Sequence, residues 1–225
     1  MSKKIYLYLK ATISFLFGIF LISIFAVCEP FWRIRIAALP ARFGELALKG
    51  YLFLKRQEIN GKTNRASYIF ISGPPVNRQL LDMFKRKLFI LESTNFLPLR
   101  IFPHWLLKKT RFLITLSQNS NEYYEFNYGK PLLKFTPGEE ERGRKFLKEK
   151  MGIDLDKDWF VCVFARDSEY LKTYAPEKAA SCHDYRNSNI DTYKKAVEFI
   201  IEKGGHVVRM GSVVNKPMNF KHEKF

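Results

Sequence analysis

Apolar and polar residues follow different patterns along this 225-residue chain. The first 28 residues are strongly apolar, and residues 11–28 contain no charged side chain. From residue 33 onward, short apolar runs alternate with stretches in which apolar residues recur at helical spacing. Residues 97–135, where aromatic and basic side chains are interleaved, have only moderate periodicity. Strands that alternate with helices predict an α/β fold built on parallel strands.

The apolar segment at residues 5–28 predicts an uncleaved transmembrane helix. About 20 apolar residues cross the hydrocarbon core of a bilayer, and Lys10 can extend its charge to the membrane surface. A cleaved signal peptide is the alternative, but its apolar core is about 7–15 residues long and ends in a small-residue site, which residues 26–28 match poorly. Basic residues flank both ends and leave the orientation open. They are Lys3, Lys4 and Lys10 on one side and Arg33, Arg35 and Arg42 on the other.

Strands and helices alternate between residues 33 and 91. Asn77 is a candidate N-cap, because its side chain can accept a hydrogen bond from the first helical turn. Asn60 and Gly61 form a turn sequence that ends the preceding helix. The predicted elements are a strand at 33–39, a helix at 45–58, a strand at 67–72, a helix from Asn77 to residue 86 and a short strand at 88–91.

Residues 136–152 carry a full set of signals for one helix. Thr136 and Glu139 have the spacing of a capping box, and Pro137 suits the first turn. Acidic residues open the segment and basic residues close it, in agreement with the helix dipole. Gly152 can end the helix in a left-handed conformation. The pattern predicts a helix from Thr136 to Gly152.

A βαβ unit is predicted after this helix. The strongest strand pattern of the chain lies at 159–165. Ser188 and Asp191 have capping-box spacing, so we expect a helix that begins there and ends at the glycine pair 204–205. A second strand follows at 206–210, and a right-handed crossover implies that the two strands pair in parallel.

These elements predict three parts of the chain. They are a membrane anchor at 1–30, a Rossmann-like domain at 31–135 and the start of a second Rossmann-like domain at 136–225. The last part is short for an α/β domain and stops soon after a strand, where a further helix is expected. We therefore expect a chain that is truncated at its carboxyl end.

Composition changes this picture mainly through charge. Apolar residues make up 47% of the chain, which excludes intrinsic disorder, and three cysteines exclude a small disulfide scaffold. Lys and Arg number 38 against 22 Asp and Glu, a net charge of +16. Without the three lysines of the first 28 residues, 35 basic residues remain and the net charge is +13. The globular part is therefore expected to bind an anionic partner: nucleic acid, a membrane surface or a phosphorylated ligand.

Two arginines lie at the ends of the predicted parallel strands in the second half. Arg166 directly follows the first of these strands, and Arg209 is near the end of the second. Ligands bind at the carboxyl ends of open parallel sheets, and a guanidinium group binds two phosphate oxygens at once. Backbone amides at 188–190, at the predicted helix start, are a second anion-binding device. The alternative is that the arginines only pair with Asp167 and Asp184.

Five blocks of the chain resemble signature sequences of a bacterial family of glycosyltransferases described mostly from sequence. The blocks are LPARFGEL (39–46), GPPVNR (73–78), FARDSEY (164–170), DYRNSNI (184–190) and GGHVVRMG (204–211). The resemblance covers residues 33–217 and is most specific at 184–211. The family is distantly similar to fucosyltransferase-like enzymes of the GT-B architecture, which has two Rossmann domains.

The resemblance implies transfer of a hexose or deoxyhexose from a nucleotide-diphosphate sugar to a polysaccharide or glycoconjugate acceptor. It implies that Arg166 and Arg209 bind the diphosphate and stabilise charge on the leaving group. The other implied donor-binding residues are Tyr170, Arg186, Asn187, Asn189 and Gly211. No bound cofactor or metal is implied, because cationic side chains take the place of a divalent ion in GT-B enzymes. The expected location is the bacterial inner membrane, with a single span and the globular part in the cytoplasm, although the flanking basic residues leave the orientation undetermined.

The first strand-to-helix turn is implied to face the acceptor through Arg42, Gly44 and Glu45. A side chain at Gly44 would obstruct close approach of the acceptor. Glu45 stands where the family pattern has a histidine. Any role of that histidine in acceptor binding or proton transfer is therefore not carried over to this chain.

Charge alone leaves other functions open. One is a non-catalytic, membrane-anchored basic protein that binds an anionic glycan, lipid or nucleic acid, and another is an inactive truncated relic. Aromatic and basic residues at 102–112 suit stacked bases or an anionic lipid surface, but no nucleic-acid-binding motif is present. Cys182 and His183 are adjacent, yet no second Cys/His pair at zinc-binding spacing accompanies them.

Overall fold

The structure is a computed structural model with an α/β architecture divided into two units. Unit 1 is Met1–Phe135 and unit 2 is Thr136–Phe225. The residues that the structure describes are 3–40, 43–61, 66–74, 77–93, 104–116, 122–174, 181–211 and 213–225. Both units contain parallel strands joined through helices, so the predicted α/β class is confirmed.

Unit 1 is built on a four-stranded parallel sheet of order β3-β2-β1-β4. The strands are β1 (Arg33–Leu39), β2 (Ala66–Ser72), β3 (Phe89–Glu92) and β4 (Leu113–Ile114). Chain order runs outward from β1 to β3 and then returns to the other side of β1, as in Rossmann-like folds. The strands predicted at 33–39, 67–72 and 88–91 are confirmed to within a residue at each end.

Five helices of unit 1 are described. They are α1 (Lys3–Cys28), α2 (Phe43–Ile59), α3 (Arg78–Lys85), α4 (His104–Leu107) and α5 (Glu122–Asn127). Asn77 caps α3 as predicted, because its side chain accepts a hydrogen bond of 2.8 Å from the Leu80 amide. Helix α1 is long and apolar enough to cross a membrane, which agrees with the sequence pattern.

The unit 1 sheet has an apolar core on each face because successive side chains of a strand point to opposite sides. On one face, Ala37 and Phe70 are buried with Phe84 of α3 and with side chains of α2. On the other face, Ile36 is buried with Phe25 of α1 and with residues around α4. Helix α1 therefore contributes directly to a core of unit 1.

Unit 2 pairs two parallel strands across a helical connection. The strands are β5 (Phe160–Phe164) and β6 (His206–Met210), with Phe160 opposite His206. The helices are α6 (Pro137–Met151), α7 (Glu169–Tyr174) and α8 (Lys194–Glu202), together with 3₁₀ turns at Ser181–Arg186 and Ile190–Tyr193. The predicted parallel pairing is confirmed, as is the capping box of Thr136 and Glu139.

The predicted helix start at Ser188 is wrong. The Asn189 side chain instead accepts a hydrogen bond of 3.1 Å from the Asp191 amide and opens the 3₁₀ turn, and α8 begins at Lys194. The Ser188 amide donates to the Arg166 carbonyl at 2.9 Å. Asn189 competes with Ser188 as the cap because the side-chain oxygen of an asparagine readily accepts a hydrogen bond from an amide two residues ahead.

Replacing Gly205 by alanine is expected to destabilise unit 2 by about 1–3 kcal/mol, as overpacking of a core does. A Cβ at this position would lie only 2.6 Å from the indole ring of Trp159. The matched control is Gly143→Ala within α6, where a Cβ would meet no atom of the described residues within 4 Å, and a gain of about 0.5–1 kcal/mol is expected. Amide hydrogen exchange in β6 and α6 measures both changes. Equal effects of the two substitutions would contradict this packing.

Candidate functional site

A cavity of about 300 Å³ lies at the carboxyl ends of β5 and β6 in unit 2. Its walls come from the loop after β5, the turn before α8 and the chain that follows β6. The side chains that matter for binding are Asp167, Ser168, Asn187, Asn189, Arg209 and Lys216. This is the edge of a parallel sheet where ligands usually bind.

Two further cavities of about 360 and 440 Å³ lie elsewhere. One runs beside β6 and is lined by the last residues of the chain, including Lys224. The other lies in unit 1 between the end of α3 and residues 131–134. Neither combines the carboxyl ends of two parallel strands with loops that begin there, so the first cavity is the candidate site.

Arg209 provides unused hydrogen-bonding capacity at the cavity wall. Its Nη1 donates to the Lys216 carbonyl at 2.5 Å. Its Nε is buried, and no acceptor for it exists among the residues that the structure describes. A buried donor without an acceptor costs about 1–3 kcal/mol, so such atoms are rare and call for an explanation.

Lys216 adds a second cationic group to the cavity. Its Nζ lies 2.5 Å from the Asp191 carboxylate, and the Asn219 amide bonds the other carboxylate oxygen at 3.2 Å. The hydrogen bond from Lys216, followed by that from Asn219, lowers the pKa of Asp191 below its usual value. Asp191 therefore stays ionised at neutral pH and partly balances the charge of Lys216.

Asp167 joins two walls of the cavity through backbone amides. Its carboxylate accepts from the Glu169 amide at 3.0 Å and from the Asn215 amide, also at 3.0 Å. These bonds tie the loop after β5 to the chain that follows β6. Asp167 is therefore a positioning residue that holds Asn215 and Lys216 beside the strand ends.

Arg166 supports the site without lining the cavity. Its Nη1 donates to Asn187 Oδ1 at 2.7 Å, and Asn187 Nδ2 donates to Asp184 at 2.9 Å. The structure thus places Arg166 beside a cavity-lining asparagine. The predicted direct contact of Arg166 with a diphosphate stays a prediction.

The other predicted donor-binding residues are divided between the cavity and its surroundings. Asn189 lines the cavity, although its side-chain oxygen is engaged by the Asp191 amide. Tyr170 and Arg186 are exposed and lie outside the cavity lining. Gly211 is also outside, and its φ of 134° is a conformation that glycine adopts most easily. A Cβ there would approach Val214 to 2.8 Å, so the turn after β6 requires glycine for a structural reason.

Sequence reasoning missed Asn215 and Lys216. They belong to the irregular chain after β6, where no periodic pattern marks an element. A lysine in such a segment is an ordinary surface residue by sequence. Only the bond between Asp167 and Asn215 brings this segment back to the strand ends.

Two of the three predicted acceptor-side residues, Gly44 and Glu45, lie at the start of α2, beyond the carboxyl end of β1. This position is next to the β1–β4 boundary, where the strand order reverses and doubly wound sheets bind ligands. A Cβ at Gly44 would meet no atom of the described residues within 4 Å, so packing against these residues does not require glycine there. Glu45 forms a 3.6 Å ion pair with Lys49. Arg42 lies outside the described residues.

Among the described residues, no group of three or more His, Cys, Asp or Glu side chains could hold a metal ion. The expectation that the protein needs no resident metal remains a prediction.

Comparisons with protein-family models, curated proteins and solved structures found no match to this chain. The class of protein is therefore defined by the fold: an α/β protein with a Rossmann-like parallel sheet and a long apolar N-terminal helix. Membership of the glycosyltransferase family stays a prediction, and so does the GT-B architecture.

Proposed function

We propose that this protein is a glycosyltransferase that takes a sugar from a nucleotide-diphosphate donor and binds the diphosphate at the unit 2 cavity. The observation that carries the proposal is Arg209, an arginine that lines the cavity and whose buried Nε has no acceptor among the residues that the structure describes. Lys216 adds positive charge beside it. Two cationic side chains at parallel strand ends suit a ligand with two adjacent phosphates.

In the proposed reaction, cationic side chains stabilise the negative charge that develops on the leaving diphosphate. An acceptor hydroxyl attacks the anomeric carbon of the donor sugar and gives up its proton to solvent, while the bond from that carbon to the diphosphate oxygen breaks. The bonding electrons leave with the nucleoside diphosphate. Arg209 and Lys216 would stabilise this developing negative charge, which is the kind of interaction that usually contributes most to catalysis. Asn187 and Asn189 would orient the donor through their amide groups.

Unit 1 would supply the acceptor side in this proposal. Its 3-2-1-4 strand order and the position of Gly44 and Glu45 at the switch point support a ligand site there. Two Rossmann-like units with a ligand site on each would constitute a GT-B enzyme. Residues 5–28 would attach it to the bacterial inner membrane, with the globular part in the cytoplasm.

Binding of UDP and GDP to the full chain in detergent tests the proposal. We expect one of them to bind and Arg209→Gln to weaken that binding by about 10- to 100-fold, since a hydrogen bond to a charged group contributes about 1.5–3 kcal/mol. Isothermal titration calorimetry gives both dissociation constants. The control is Arg142→Gln, which removes the same charge from an exposed position of α6 in the same unit.

Three outcomes would contradict the proposal. They are no binding of either nucleotide, equal binding by the wild type and Arg209→Gln, and equal weakening by Arg142→Gln. Binding of duplex DNA with a steep dependence on salt, and without nucleotide binding, would instead support a nucleic-acid-binding protein.

A further inference from the structure

The two halves of α1 have different surroundings. From Lys4 to Ile13 every side chain is exposed. From Ser14 onward, one side of the helix faces unit 1: Ser14, Gly18 and Phe25 are buried, and Leu21 is half-buried between them. Their spacing of four, three and four residues places them in one stripe along the helix.

The packed half of α1 covers one face of the unit 1 sheet. Phe25 is buried with Ile36 of β1 and lies edge-to-face on Phe112, with ring centres 5.5 Å apart. Farther toward the amino terminus, Phe15 stacks on Trp105 of α4 at 6.1 Å. Helix α1 therefore occupies the position that a crossover helix holds in a doubly wound sheet.

A short connection and an ion pair hold α1 in this position. Cys28 ends the helix, and only residues 29–32 separate it from β1. Both Glu29 carboxylate oxygens accept from Arg35 of β1, at 2.7 and 2.9 Å. This bidentate pair fixes the angle at which the helix leaves the sheet.

The part of α1 in which every side chain is exposed is too short to cross a bilayer. At 1.5 Å per residue, the segment from Lys4 to Ile13 is about 15 Å long, whereas the hydrocarbon core is about 30 Å thick. Lys10 lies four residues before Ser14 and thus continues the protein-facing stripe. The charge of Lys10 is therefore on the same side of the helix as unit 1.

The opposite side of α1 is a continuous apolar surface. It includes Leu9, Leu16, Phe20 and Val27, and Phe20 is 60% exposed. The hydroxyl of Ser23, which is also exposed, donates to the Ile19 carbonyl at 3.0 Å, so it needs no water partner.

Exposed aromatic residues lie next to α1, and exposed basic residues follow α4, which contacts it. Phe31 and Trp32 follow the end of α1 and are exposed, as is Trp105 beside Phe15. Exposed basic residues lie just beyond α4: Lys108, Lys109 and Arg111. Aromatic rings favour the membrane interface, and basic groups near it attract anionic lipid.

We propose that α1 does not cross the bilayer but lies along its surface as the outer layer of unit 1, with its apolar side in a leaflet that contains anionic lipid. The amino-terminal end of α1 and unit 1 are then on the same side of the membrane. This arrangement replaces the single span predicted from hydropathy, and it is independent of the proposed catalytic function. Helices of this kind bind through buried apolar area together with attraction to anionic headgroups.

Single cysteines at two positions of the full chain test the arrangement. Cys28, Cys162 and Cys182 are replaced by alanine, and Lys4→Cys or Lys87→Cys is added. A membrane-impermeant maleimide is applied to spheroplasts and to inverted membrane vesicles of bacteria that express each variant. We expect the cysteines at both positions to react with the maleimide from the same side of the membrane. Reaction from opposite sides, protection of position 4 on both sides, or loss of residues 1–28 from the mature chain would overturn the proposal.

Flotation with lipid vesicles provides a second measurement. Phosphatidylcholine vesicles with phosphatidylglycerol should bind the chain at least fivefold more tightly than those without, because each basic residue near the surface contributes about 1 kcal/mol. Phe20→Glu should weaken binding at least tenfold, since it places a charge in the apolar surface. The control is Tyr123→Glu on α5, an exposed aromatic residue of the same unit. Equal binding by the two variants would overturn the proposal.

Discussion

Phe25→Ala should lower the free energy of unfolding of unit 1 by about 3 kcal/mol, the usual cost of removing a buried phenylalanine. Phe25 is only 6% exposed and fills the space between Ile36 and Phe112. Its loss leaves a cavity that α1 cannot close, because the Glu29–Arg35 pair and the short connection hold the helix in place. Amide exchange of β1 in the full chain, by mass spectrometry, should accelerate by about a hundredfold.

The control for this prediction is Val27→Ala, two residues along the same helix. Val27 is 73% exposed, and its truncation should change stability by less than about 0.5 kcal/mol. A helix that acted only as a membrane anchor would make the two substitutions equivalent. Equal exchange rates of β1 in the two variants would therefore show that α1 is not a layer of unit 1.

Lys55→Met should destabilise unit 1 by about 1–3 kcal/mol, the usual cost of leaving hydrogen-bonding groups without their partner. The Lys55 side chain is 1% exposed although it carries a charge. Its Nζ donates to the Tyr128 carbonyl, to the Lys130 carbonyl at 2.7 Å and to the Glu58 carboxylate at 3.1 Å. Methionine fills a similar volume but provides no donor, so two backbone carbonyls lose their partner.

Lys49→Met is the matched control on the same helix. Among the described residues, Lys49 pairs with Glu45 at 3.6 Å near the surface, and such pairs contribute about 0–1 kcal/mol. Lys55→Met should also release residues 128–130 from α2, which limited proteolysis of this segment would detect. If the Lys55→Met and Lys49→Met variants were equally resistant to proteolysis, Lys55 would not be the residue that holds residues 128–130 against α2.

Much of the fold is encoded by short-range patterns. The capping box of Thr136, the N-cap of Asn77 and the glycine at 152 act on amides within a few residues, so they are visible in sequence and confirmed in the structure. The parallel pairing of β5 and β6 also follows from order, because a helix between two strands requires a crossover.

The candidate site was predictable only in part. Arg209 was predicted because it lies at a strand end, and it does line the cavity. Lys216 was not predicted, because its position depends on the bond from the Asn215 amide to Asp167, which lies much earlier in the chain. The helix start at Ser188 was predicted wrongly for a local reason: two adjacent residues could each act as a cap, and the structure uses Asn189.

The sequence by itself determined that this protein has a long apolar N-terminal helix, alternating strands and helices, and a strongly basic globular part. These properties depend on composition and on neighbouring residues. Only the tertiary structure decided that one stripe of the helix is buried in unit 1 and that Arg209, Asn187 and Lys216 share one cavity. The physical reason is that hydropathy measures how much apolar surface a helix has, whereas its distribution between protein and solvent depends on contacts with distant residues.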